Sequence, residues 1–169
     1  LYILKWIYVI ISLKMDLQLK NKTAFISGST AGIGYSIAET FLKEGVNVII
    51  NGRTNKSVDE AVKALRDLNP QGSVSGFAAD FSKPEDVARL IADLPHVDIL
   101  VNNAGIFEPK AFVEISDEDW FRFFEVNVMS GIRLSRHLFP KMLDKNWGRV
   151  IFISSESALQ IPKEMIHYG

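Results

Sequence analysis

The sequence has 169 residues, 47% hydrophobic and 23% charged, an ordinary globular composition sufficient for one domain with a sizeable core. Nineteen basic against twenty acidic residues leave a net charge of −1, which gives no electrostatic case for nucleic acid or an anionic membrane surface as a partner. The absence of cysteine excludes disulfides, thiolate metal sites and cysteine nucleophiles, and His96, His137 and His167 lack a metal-ligand spacing. No metal is expected, and a reducing, cytoplasmic setting fits.

Residues 1–14, LYILKWIYVIISLK, are nearly all apolar. A helix of that length reaches about 20 Å, short of the roughly 30 Å hydrocarbon core of a bilayer, and no small-residue cleavage site follows. The segment is read as an upstream extension or hydrophobic tail, with Met15 as the native start and residues 15–169 as one domain. A membrane-tethered form is the alternative.

From Thr23 onward, apolar runs alternate with amphipathic stretches. TAFIS (23–27) reads as a strand buried on both faces and entering a glycine-rich turn. A helix is expected from Gly32 to Lys43, with Ile33, Ile37, Ala38, Phe41 and Leu42 on its buried face and Gly45 as its stop. VNVII (46–50) is the second strand, residues 57–68 an amphipathic helix ended by Asn69-Pro70, and SVSGFAA (73–79) the third strand. A helix over 83–93 leads to VDILVNNAG (97–105), whose first half is the fourth strand. A long helix follows from Asp117 to about Lys145, opened by the acidic SDED and expected to kink or divide at Pro140. GRVIFISS (148–155) is the fifth strand. Five alternations with short connections predict an α/β fold, a doubly wound parallel sheet of the Rossmann type with helices on both faces.

SGSTAGIG (27–34) sets Gly28, Gly32 and Gly34 between the first strand and its helix. One glycine makes the tight turn, one lets backbone approach a pyrophosphate and one lets helix pack on sheet, while free N–H groups at the helix start hold phosphate. Ser29, Thr30 and Ile33 are counted with these glycines as cofactor contacts. After the second strand the sequence reads NGRT, offering Arg53 where an NAD-binding unit carries an acid. A guanidinium suits a 2′-phosphate, so NADP is expected, with NAD as the alternative.

With AAD ending at Asp80, NNAG at 102–105, Asn127 in the long helix, and Ser155 followed by Tyr168, this glycine turn resembles the short-chain dehydrogenase/reductase family, and most of all its 3-oxoacyl-carrier-protein reductases. The resemblance runs from about Leu19 to Gly169. It implies strand order 3-2-1-4-5-6-7, of which this chain supplies the first five. It further implies that Asp80 bonds adenine, and that Asn102, Ala104 and Gly105 brace the fourth strand beside the cofactor. Tyr168 becomes the proton donor and acceptor, Ser155 the hydrogen-bond partner of the substrate oxygen, and Asn127 the anchor of a water-linked proton relay. Free tyrosine titrates near 10, so a cation must favour the phenolate near neutrality. The family's lysine for that task lies four residues beyond the tyrosine, past Gly169. The chain is therefore expected to be a C-terminally truncated reductase without turnover of its own.

Read without the resemblance, Asp80 is a helix-entry acid, Ser154 or Ser155 a cap, and Tyr168 a packing residue. Asn127, between Val126 and Val128, is a buried amide that needs partners. The expected substrate is a small carbonyl or alcohol, bordered by Glu156, Gln160, Ile161, Glu164, Met165 and His167. A sugar or polyol dehydrogenase and a non-catalytic NADP-binding regulatory module are the competing readings. Trp120, Phe121, Phe123 and Phe124 cannot share one core stripe, so a homodimer or homotetramer is expected to cover some of them.

Overall fold

The computed structural model describes residues 16–169, so the reading of residues 1–14, and Met15 with it, lies outside the described residues. Strands β1 (Thr23–Ile26), β2 (Asn47–Gly52), β3 (Val74–Ala78), β4 (Ile99–Asn102) and β5 (Arg149–Phe152) form one parallel sheet in the order β3-β2-β1-β4-β5. Helices α1 (Gly32–Lys43), α2 (Asn55–Asp67), α3 (Pro84–Asp93), α4 (Asp117–Phe124) and α5 (Ser130–Asp144) connect them. The chain winds outward from β1 through β2 to β3, then returns to continue with β4 on the other side. Right-handed crossovers in opposite directions put helices on opposite faces and open a crevice at the carboxyl ends of β1 and β4.

Alternation along the strands divides the core accordingly. Ala24 and Ile26 of β1, with Val48 and Ile50 of β2, face Ala38 and Leu42 of α1 and Val58 and Leu65 of α2. Phe25 points the other way, into a second cluster with Leu100, Val87 and Leu90 of α3, and Leu134 and Leu138 of α5. Each fully buried Leu or Phe contributes about 1.5–3 kcal/mol, so both faces hold the sheet. Among the described residues β5 pairs only with β4, and its Ile151 and Phe152 are exposed. Beside it, Ile151 and Ile153 border an apolar groove of about 840 Å³ against Ile33, Ile37 and Phe41 of α1. Ile33, expected on the buried face, is exposed there.

The long helix differs from expectation in an informative way. Pro140 lies inside an unbroken α5. The irregularity comes earlier, at Glu125–Met129, which forms a π-helical turn between α4 and α5. One extra residue in the turn is what frees a side chain to leave the regular helical register. Here that side chain is Asn127, tied by both amide atoms to the backbone of Ile106. The acidic opening does act as a start signal: Ser116 and Asp119 form a reciprocal capping box.

No helix among the described residues is long and apolar enough to cross a membrane.

At the opposite end of the sheet from the crevice, Asp98 joins three strands. Its carboxylate accepts the Thr23 N–H at 2.9 Å and faces His96 at 2.9 Å, while its carbonyl accepts the Arg149 N–H at 3.0 Å. Desolvation opposes ionisation, but the bonds from Thr23 and His96, with Lys22 nearby, outweigh it and hold the carboxyl below its usual range. A native carboxyl that titrates below its unfolded value of about 3.9 stabilises the fold fully above that value, and loses this as pH falls through the lowered one. Asp98→Asn is therefore expected to cost about 1–2 kcal/mol at pH 7 in urea unfolding, and the difference from wild type should shrink below about pH 4. A penalty that is equal at pH 3 and pH 7 would contradict this assignment.

Candidate active site

The crevice is built around the turn from Ser27 to Gly34. Gly28 has φ +60°, and a Cβ there would lie 2.9 Å from the Cα of Ala104, so neither its conformation nor its neighbour admits a side chain. A Cβ on Gly34 would lie 2.5 Å from Asn103 Nδ2 and 2.8 Å from the Gly28 carbonyl, which is why α1 can pack so close to the turn. The end of β4 clamps this arrangement. Ser27 Oγ accepts the N–H groups of Asn103 and Ala104, both at 2.9 Å. Asn103 Nδ2 in turn donates to the carbonyls of Ser27 at 3.0 Å and Gly28 at 2.9 Å. Sequence reasoning passed over Ser27 and Asn103, although the paired asparagines of NNAG were a visible signal.

Ser29 takes a different role from the one expected. It is fully buried, its hydroxyl donating to the Ile26 carbonyl at 2.6 Å and accepting the Asn51 N–H at 3.0 Å. With no exposed surface, its side chain shapes the turn from beneath.

The outer side of the turn is open. A Cβ on Gly32 would meet nothing within 4 Å. Ala31, the N-cap of α1, supplies no side-chain acceptor, so the first-turn amides are left to an outside anion, aided by the helix dipole. Thr30 is half-buried and Ile33 exposed at this opening. Beyond β2, Arg53 is exposed and has no hydrogen bond or ion pair among the described residues. Asp80 closes the far side. Its Oδ1 accepts the Ser82 N–H at 3.0 Å and hydroxyl at 2.8 Å. Desolvation is outweighed by those bonds and by Lys83 and Arg53, so the carboxyl is held below its usual range. Asp80 thus shapes the turn ahead of α3, whose N-cap Lys83 makes no side-chain cap bond, and its second oxygen is left over. An open amide cradle with a free guanidinium at one end fits a dinucleotide that carries a ribose phosphate.

Asn127 and Tyr168 both reach the loop after β4. Asn127 Oδ1 accepts the Ile106 N–H at 2.8 Å, and its Nδ2 donates to the Ile106 carbonyl at 2.9 Å. A Cβ on Gly105 would lie 3.6 Å from Asn127 Oδ1. Tyr168 meets the same loop through Phe107, the rings edge to face at 6.4 Å. Two further bonds from Lys110 hold the loop in place: its N–H to the Glu164 carbonyl at 2.8 Å, and its ammonium to Asp119 at 2.5 Å. Ser155 caps the short turn Glu156–Ala158 by accepting the Ser157 N–H at 3.2 Å, which leaves its own O–H free to donate. A Cβ on Gly169 would lie 2.6 Å from the Ser157 carbonyl, so the residue after Tyr168 returns to the turn that Ser155 begins. Asn102, nearly buried, reaches Ser135 of α5 at 3.4 Å and so braces β4 from the helix side. His167 is no lining residue: it is buried between Trp120 and Phe123, with ring centroids 5.9 and 4.1 Å away.

A parallel sheet with a glycine turn clamped at its switch point defines a nucleotide-binding α/β protein. A sequence model described as short chain dehydrogenase matches residues 22–169, and the chain belongs to that family. It is 48% identical over 158 residues to the uncharacterised oxidoreductase YvrD of Bacillus subtilis (strain 168), covering 92% of this chain and 59% of that protein. It is 37% identical over 147 residues to a D-beta-hydroxybutyrate dehydrogenase of Rhizobium meliloti (strain 1021), covering 82% of this chain and 55% of that protein. Among solved structures, L-sorbose reductase from Gluconobacter frateurii, complexed with NADPH and L-sorbose, superposes with a TM-score of 0.84 at 34% identity. That match covers 91% of this chain and 60% of the reductase. The chain thus spans about three fifths of the length of the relatives first matched.

Replacing Ser27 by Ala leaves two part-buried amides without their acceptor. Ser27→Ala is expected to cost about 1–3 kcal/mol and to speed hydrogen exchange at the Asn103 and Ala104 amides. Unchanged exchange at those two amides would contradict the clamp.

Proposed function

We propose that the protein is the nucleotide-binding part of an NADP(H)-dependent oxidoreductase that interconverts a carbonyl and an alcohol on a small molecule. The observation that carries this reading is the open cradle at Gly32, on the uncapped start of α1, with unpaired Arg53 beyond the neighbouring strand. In this reading the backbone from Gly28 to Gly34, with Thr30 and Ile33, holds the pyrophosphate. Arg53 holds the 2′-phosphate, the free oxygen of Asp80 meets the adenine, and Ala104 and Gly105, backed by Asn102, border the nicotinamide side. When bound, the dinucleotide supplies or accepts the hydride at the carbonyl carbon. Tyr168 gives or takes the proton at the carbonyl oxygen, Ser155 donates a hydrogen bond to that oxygen, and Asn127 fixes the loop beneath them and anchors the proton relay.

The names of the relatives span a hydroxy acid, a hydroxysteroid, a 3-oxoacyl carrier-protein substrate and a sugar, so the proposed substrate class stays at a carbonyl or alcohol. Exposed Phe121 and Phe124 beside buried Phe123 support a homodimer or homotetramer, and the cysteine-free composition supports a cytoplasmic protein. No lysine or arginine bonds Tyr168 among the described residues, so turnover by residues 1–169 alone is expected to stay at background; ketone reduction well above it would contradict this.

Calorimetric titration tests the cofactor assignment. NADPH should bind more tightly than NADH, and Arg53→Ala should weaken NADPH about tenfold while leaving NADH nearly unchanged. Gly32→Ala, which fills the cradle, should weaken both. Equal affinities for the two cofactors in wild type, or an Arg53→Ala effect on both alike, would contradict the assignment.

A further inference from the structure

The reading above gives the two ends of the cofactor site separate owners: the glycine turn for the pyrophosphate, and Arg53 with Asp80 for the adenosine half. One buried side chain joins them. Asn51, on the second-last position of β2, is 1% exposed. Its Oδ1 accepts the Gly28 N–H at 3.0 Å. Its Nδ2 donates to the Phe77 carbonyl at 3.1 Å, and more distantly to those of Gly52 and Ala79, both at 3.4 Å. Its backbone exchanges two further bonds with Ser29, N–H to hydroxyl at 3.0 Å and carbonyl to N–H at 2.8 Å.

These bonds need a primary amide. The carbonyls of β3 and its exit require a donor on one side, and the Gly28 N–H requires an acceptor on the other; aspartate lacks the first and leucine lacks both. The three carbonyls also fix which way the amide points, because the reversed orientation would set Oδ1 against oxygen. Asn51 thus spans from the turn at Gly28 to Ala79, the residue before Asp80, while its own chain continues to Arg53 two residues on.

Resting on the cofactor reading, we propose that Asn51 is a positioning residue for the dinucleotide: it fixes the glycine turn relative to the Arg53–Asp80 end, so that one extended molecule engages both. A ligand that spans both ends then depends on Asn51, and one that uses only the adenosine end does not.

The test compares wild type with Asn51→Leu, or with Asn51→Ser should the leucine variant fail to fold. The probes are NADPH, which spans the site, and adenosine 2′-monophosphate, which carries no pyrophosphate. The expected result is a roughly tenfold or greater loss of NADPH affinity with about a twofold change or less for the monophosphate. In the free protein, hydrogen exchange should quicken about tenfold at the Gly28 amide, while Phe25 and Ile26 keep their protection. Unchanged Gly28 exchange would overturn the proposal. So would proportional weakening of both ligands with uniform loss of protection along β1, the pattern of general loosening. A wild-type protein that binds no NADPH overturns the cofactor reading itself, and the exchange pattern still decides whether Asn51 holds the turn.

Discussion

A turn that must leave its backbone bare to meet a ligand cannot be held by its own outward side chains. Gly28, Gly32 and Gly34 supply none, and the turn is instead held from behind. Ser27 and Ser29 are both buried, and their hydroxyls bond to the backbone of β1, β2 and β4, while Asn103 reaches back to two of the turn's carbonyls. Buried polar groups of this kind are costly when unpaired and stiff when fully paired, and here they are paired. The result is a preformed surface of amide donors that loses little freedom on meeting an anion.

The sheet makes this possible by bringing distant strand ends together. Because all five strands are parallel, β1, β2, β3 and β4 end at the same edge, and each delivers one part of the site: the turn, Arg53, Asp80 and the 103–107 loop. The two apolar layers fix the strands in register, and Asp98 ties the beginnings of β1, β4 and β5 at the edge away from the site. The same loop after β4 then serves twice. Its first residues clamp the turn, and its next ones receive Asn127 and Tyr168. The proposed nucleotide site and the proposed chemical site are therefore mechanically continuous.

Much of this was legible in the sequence because it is local. The limits of α1 follow from its flanking glycines, the strands from short apolar runs, and the order of the sheet from the family resemblance. What escaped notice depends on partners far along the chain. The π-helical turn at Glu125–Met129 leaves the apolar periodicity of residues 117–144 nearly intact, and its cause is the backbone of Ile106, so Pro140 drew the attention instead. Ser29 looked like a ligand contact because it lies in the motif, but its hydroxyl faces inward to Ile26 and Asn51. Ser27 and Asn103 went unnoticed because neither acts alone. His167 looked available beside Tyr168, and only the packing of Trp120 and Phe123 shows that it is enclosed.

The most direct test of the central claim is a crystal structure of the protein with NADP⁺. The account predicts the pyrophosphate over Gly32 at the start of α1, the 2′-phosphate on Arg53, and a turn unmoved from its free form. A cofactor seated elsewhere, or a turn that has to rearrange to receive it, would contradict the claim that buried side chains hold this backbone ready in advance.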